Sequence, residues 1–306
     1  MIPDLKYNLG WLQKENYKSF YLAFLRVGIS IWLLTELCLN WSSLDVLYGR
    51  SAFVLSKTNF LHRLPGGFSS ISNYYMWFII PYILVLLLNI AGIGRWITAL
   101  LLFVMLYTLQ RMNMLIVNGG GLMARLILLY LVFANSYQYF VLIKQKPLKQ
   151  QQRNIVNLLS NLSALSIMLH LCLAYFSSGI VKILDPYWQR GEAIYYVLQM
   201  ERFVGTPFNS VILQYPWIDV TATYAVVAFE LGFPILVWIK KLRKPLLLIG
   251  IIFHISIYIF LMIYGFQIVF LLIYGLFLPN EKLLSFARRV KGWVWRKEVN
   301  IVDYKL

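Results

Sequence analysis

Lys182 closes a long apolar run in the stretch YFSSGIVKILDPYWQRGEAIYY (175–196), in a chain that avoids charge almost everywhere else in such runs. An ionisable group inside a membrane-length apolar run costs at least a few kcal/mol, so it needs a partner, a watery cavity or an escape to an interface. Laid out as helices rising about 1.5 Å per residue, the apolar runs bring Glu36, Arg111 and Arg125 to a depth similar to that of Lys182. Three cations and one carboxylate in one layer predict a cationic pocket opening outward. There Lys182, desolvated, would serve as a base, while Arg111 and Arg125 would hold an anionic group. The alternative for Lys182 is that its stem lies along apolar surface and its ammonium reaches the headgroups. Asn118 and Gly120, in VNGGG (117–121), join the candidate binding set because glycines let backbone amides and carbonyls approach a ligand; Trp188 lies on the amphipathic segment just after Lys182, which could roof the layer.

A second layer lies deeper and holds Arg26, Glu230 and the mid-run His254. Opposite charge at similar depth predicts a buried Arg26–Glu230 pair that fixes helix register. His170, in the middle of another run, reads as a polar contact between helices. Cys38 and Cys172 both fall inside apolar runs, so neither a disulfide framework nor a metal site is expected.

The elements that must position these groups follow from composition. With 60% hydrophobic residues, 13% charged and a mean hydropathy of +0.68, the chain has more apolar surface than a soluble domain of 306 residues can bury. The expected fold is all-α, a polytopic integral membrane protein. Crossing a bilayer takes about 20 apolar residues, and eight runs qualify as transmembrane helices: 19–40, 74–93, 96–117, 121–143, 155–184, 217–239, 245–264 and 266–279. The formal charge of +16 sits mostly in short basic clusters between these runs, where it sets topology instead of forming a nucleic-acid surface. Placing both termini in the cytoplasm puts 19 of the 28 Lys and Arg on that side, including KQKPLKQQQR (144–153) and KKLRK (240–244). No cleavable leader is expected. Residues 1–18 read as a cytoplasmic segment, 19–279 as the transmembrane domain and 280–306 as a basic tail on the membrane surface. The external segments 41–73 and 185–216 are rich in aromatics. In the second, Tyr187, Trp188, Ile194, Tyr195 and Leu198 share a helical face, as an interfacial amphipathic helix requires.

The order of FLRVG (24–28), NGGG (118–121), MARL (123–126), the Lys182 segment, FELGFP (229–234) and FHISIYIF (253–260) resembles the HTTM (horizontally transferred transmembrane) domain family. That family is related to the vitamin K-dependent gamma-glutamyl carboxylases. The resemblance implies that the lysine of the G-x-x-K element, Gly179 to Lys182, is the catalytic base and that a reduced quinone is the cosubstrate. Gly120 or Gly121 stands where the carboxylase carries a histidine, and the carboxylase's large lumenal portion has no counterpart here. Two functions follow from the resemblance: a carboxylase-like membrane enzyme, or a non-catalytic membrane factor that helps a secreted peptide mature. A transporter ranks third, since no inverted repeat is visible.

Overall fold

A computed structural model of the chain describes residues 10–49, 74–143, 148–203 and 206–294, with only the backbone described for 202 and 290–294. The described residues are helical throughout their regular structure. They form α1 (Trp11–Lys14), α2 (Ser19–Leu39), α3 (Leu44–Tyr48), α4 (Tyr75–Ala91), α5 (Trp96–Met112), α6 (Gly119–Phe133) and α7 (Gln150–Leu184). These are followed by α8 (Pro186–Gln189), α9 (Ala193–Gln199), α10 (Phe208–Ile212), α11 (Pro216–Leu236), α12 (Lys240–Leu261), α13 (Phe266–Tyr274) and α14 (Asn280–Val294).

A helix stands in each of the eight expected runs, but they are not equivalent. Four helices, α2, α7, α11 and α12, are long and apolar enough to cross a membrane; α4, α5 and α6 are apolar but only 15 to 17 residues long. The last run folds as α13 plus a short 3-10 turn, Gly275–Phe277, and bends by 112° into α14; taken as one span, this bent pair gives a fifth. The fourth run ends early because α6 stops at Phe133 and residues 134–143 leave the helix. KKLRK, expected as a loop, forms the first turn of α12. Much of segment 41–73 lies outside the described residues, as does the end of the basic tail.

The expected Arg26–Glu230 pair does not form. The Arg26 side chain is fully buried and donates to the backbone carbonyls of Asn89, Ile90 (3.3 Å), Ser136 (3.2 Å), Tyr139 (3.2 Å) and Phe140 (2.7 Å). Its guanidinium also lies 4.8 Å from the Tyr137 ring centre. The physical reason is that guanidinium carries five N–H donors in a fixed fork. The last carbonyls of a helix, here those of α4, have no intrahelical partner and carry the negative end of its dipole. Carbonyl dipoles thus do the work expected of a carboxylate, and Arg26 ties the 134–143 segment to the end of α4. Asn89 extends the cluster, donating to Ser30 Oγ (2.9 Å) and accepting from Thr98 and Tyr137.

With 35 residues, α7 is about 52 Å long, well beyond the about 30 Å of a hydrocarbon core. Its first turns are polar and have a separate task. Asn161 donates to the carbonyls of Leu12 and Glu15, both at 2.8 Å, and Asn157 to that of Gln13 at 3.0 Å, docking the α1 segment. The far half of α7 packs antiparallel against α11, the most extensive helix pairing among the described residues.

Replacing Arg26 with Leu should lower stability by about 3 kcal/mol or more, because several buried carbonyls lose their donor together. Arg26→Lys should rescue little of the loss, since an ammonium cannot span the fork. Thermal unfolding of the purified variants in detergent checks both; a melting temperature unchanged by Arg26→Leu would contradict this role.

Candidate functional site

Where α7 crosses α11, Gly179 sets the distance. A Cβ at that position would stand 2.7 Å from a Leu231 methyl and 3.3 Å from Glu230 Cβ, so a larger residue would force the helices apart. One turn further along α7, Lys182 meets Glu230. Lys182 Nζ lies 2.8 Å from Glu230 Oε2 and 2.9 Å from Oε1, and donates to Ser178 Oγ at 2.7 Å. Ser178 in turn donates to Glu230 Oε1 at 3.1 Å. All three ammonium donors are used, the Glu230 side chain is 5% exposed, and the Trp188 ring covers the ammonium at 5.0 Å.

Counting from the start of its run puts Glu230 level with Arg26. However, α11 begins at Pro216, and its first turns pack against α9 and the Gly191 turn instead of α7. The carboxylate therefore reaches the level of Lys182, which explains both the missing Arg26 pair and the one that forms.

The pair lies on the wall of a cavity of about 880 Å³. Residues of α6, α7, α11, α12 and α13 build its sides, and Trp188, Ile194, Val197 and Leu198 of α8 and α9 close one end. Asp185 starts that closing segment by capping α8, accepting from Tyr187 N (2.9 Å) and Trp188 N (3.4 Å). Gly191, at φ +77, turns it back against Val220 and Tyr224 of α11. The lining is apolar apart from Lys182, Glu230, Ser177, Ser178, Arg125, His170, Tyr175 and Ser256. This matches the usual make-up of a small-molecule site, an apolar chamber with a few convergent polar groups.

Of the expected binding residues, Arg125 and Trp188 share this cavity with Lys182, and the Arg125 guanidinium lies 5.3 Å from the Tyr107 ring centre. Arg111 is not in the lining; its Nη1 approaches Met114 Sδ at 3.6 Å. The three-cation pocket is therefore corrected. Glu230 neutralises Lys182, leaving Arg125 as the one full charge in the lining with no ion pair among the described residues.

Asn118 caps α6, its side chain accepting from Gly121 N at 2.9 Å, and lines a smaller cavity instead. Gly120 is buried, and a Cβ there would stand 2.8 Å from the Phe266 Cα. Its role is close packing of the α6 start on the α13 start, which forms part of the wall between the two cavities. His170 makes the expected contact between helices, 3.4 Å from the Tyr130 hydroxyl.

Three polar residues near the cavity were not singled out from sequence. Ser178 and Tyr175 stand four and seven positions before Lys182, the spacing of a single helical face, and that spacing was the available signal. The Tyr175 hydroxyl lies 2.7 Å from His254 Nε2 and 2.6 Å from the Tyr274 hydroxyl, linking α7, α12 and α13 behind the cavity. Tyr274 is recognisable only once the fold is known. Comparison with known protein families, curated proteins and solved structures finds no match.

Breaking the ion pair from one side should cost roughly 3 to 5 kcal/mol, because the partner charge is left buried. Lys182→Met and Glu230→Gln should each show this loss, and the double variant should be far more stable than the two losses added together. Additive losses in a double-mutant thermal-unfolding cycle would contradict a coupled pair.

Proposed function

We propose that the chain is a multi-pass integral membrane enzyme with both termini cytoplasmic, of the HTTM type, whose cavity takes a lipid-soluble substrate with an acidic O–H group. A reduced quinone is the substrate class that fits best. The carrying observation is a fully hydrogen-bonded Lys–Glu pair on the wall of an apolar chamber of about 880 Å³. The membrane setting is supported by the four long apolar helices and by the many large hydrophobic side chains exposed on the outside of the bundle, among them Trp77, Leu84, Ile235 and Ile252.

A bound reduced quinone would supply reducing equivalents and an ionisable hydroxyl. The chain's own part is to hold and move one proton. The resemblance implied Lys182 as base, but an ammonium whose three donors are all engaged has no lone pair to offer. The proposal therefore reassigns that role to Glu230. An O–H entering the cluster passes its proton to the Glu230 carboxylate, and the Lys182 ammonium moves from Glu230 to the oxygen left negative. Charge is conserved: ammonium and carboxylate before, ammonium and substrate oxyanion after, with Glu230 now neutral. Such a pre-positioned cation stabilises charge as it develops, and an apolar chamber strengthens the effect. Arg125 and His170 are placed to orient the rest of the substrate, and Trp188 excludes water from the ammonium.

Purified protein in detergent should bind a short-chain naphthoquinol saturably under anaerobic conditions. Glu230→Gln should keep the binding within about threefold yet abolish turnover, whereas Lys182→Met should weaken binding about tenfold or more. Mass spectrometry of secreted peptides and lipids from cells carrying each variant would reveal the product. Full turnover in Glu230→Gln would overturn the assignment. Quinol binding absent from the wild type, together with peptide maturation retained in both variants, would favour a non-catalytic maturation factor.

A further inference from the structure

The smaller cavity, about 270 Å³, lies across the Gly120 wall from the first and has a different chemistry. Trp32 and Glu36 of α2, Tyr48 of α3, Tyr82 of α4 and Gln110 of α5 contribute its polar and aromatic lining, with Asn118 at the start of α6. Three of these side chains are more than nine-tenths buried and have a polar atom with no hydrogen-bond partner among the described residues: Trp32 Nε1, Tyr82 Oη and Gln110 Oε1. Buried polar atoms are rarely left unpaired in folded proteins, and three from three helices on one cavity point to an occupant.

Glu36 decides the charge of that occupant. Its carboxylate has no ion pair among the described residues, and no lining residue of this cavity is basic. A Cβ at Gly265 would stand 2.2 Å from Glu36 Oε1 and 3.4 Å from Trp32 Nε1, so both polar atoms converge beside that backbone. The Tyr48 hydroxyl, raised by burial and by the nearby Glu36 charge to about 12, stays a neutral hydrogen-bonding group. Water alone would satisfy the unpaired atoms but would leave the half-buried carboxylate without a counter-charge.

We infer that this cavity is a second ligand site, which takes a small primary ammonium carrying a hydrogen-bond acceptor, of the aminoethanol type. The ammonium donates to the Glu36 carboxylate, Gln110 Oε1 and the Tyr82 hydroxyl, while the Trp32 indole N–H donates to the ligand oxygen. The rings of Trp32, Tyr48 and Tyr82 flank the cation and favour it electrostatically. The same chemistry occurs in free ethanolamine and in the headgroup of an ethanolamine phospholipid.

Isothermal titration of the full-length protein with ethanolamine should show one saturable site, with ethylene glycol failing to compete. Protein in phosphatidylcholine nanodiscs should bind added ethanolamine; if nanodiscs containing phosphatidylethanolamine block that binding, the lipid headgroup is the natural source, and if not, the free amine is. Glu36→Gln should weaken binding about thirtyfold or more. Because Glu36→Gln could disturb folding, Tyr82→Phe is the second variant. Removing a hydroxyl that has no hydrogen-bond partner among the described residues should leave the melting temperature unchanged or higher, yet weaken ethanolamine about tenfold. No saturable binding in either setting, or equal affinity in wild type and Tyr82→Phe, would overturn the inference.

Discussion

The ion pair between Lys182 and Glu230 constrains everything around it. Two opposite charges in apolar surroundings are tolerable only when they meet at hydrogen-bonding distance and their remaining donors and acceptors are filled. Here Gly179 allows the close crossing of α7 and α11, Ser178 fills the third ammonium donor and bridges to the carboxylate, and Trp188 shields the ammonium. The Gly191 turn and the Asp185 cap then hold the segment carrying Trp188 in place. A single electrostatic requirement thus accounts for a glycine, a serine, a tryptophan and a glycine turn that sit close together in sequence.

The starts of α6 and α13 play the complementary part. Gly120 presses the α6 start onto the Phe266 backbone and so separates the two cavities. On one side the chamber is large and apolar with a neutralised pair; on the other it is small, aromatic and acidic. Arg26 anchors the opposite region, where carbonyls released by a helix end and by the 134–143 segment converge on one guanidinium. Fixed there, α2 carries Trp32 and Glu36 to the smaller cavity.

The helical runs, and Lys182 as a charge that must find a partner, were legible in the sequence, because apolar length and an out-of-place charge are local signals. The joint placement of Lys182 and Arg125 was legible too, from their shared depth, and that of Trp188 from its position in the segment that follows Lys182. Partner choice was not. Depth counted from the start of each run assumes that all helices begin at one plane, and α11 begins several turns beyond the end of α7. Matching charge with charge also overlooked carbonyl dipoles, which is why Arg26 was given to Glu230. Arg111 shares its depth with Lys182 but not its cavity, since depth along an axis says nothing about direction around it.

Infrared difference spectroscopy of the carboxyl stretch on quinol binding tests the proton transfer most directly. If Glu230 takes the proton, a protonated-carboxyl band should appear when quinol binds and be missing in Glu230→Gln. Quinol binding with no such band, or with the same band in Glu230→Gln, would contradict the assignment of the proton to Glu230.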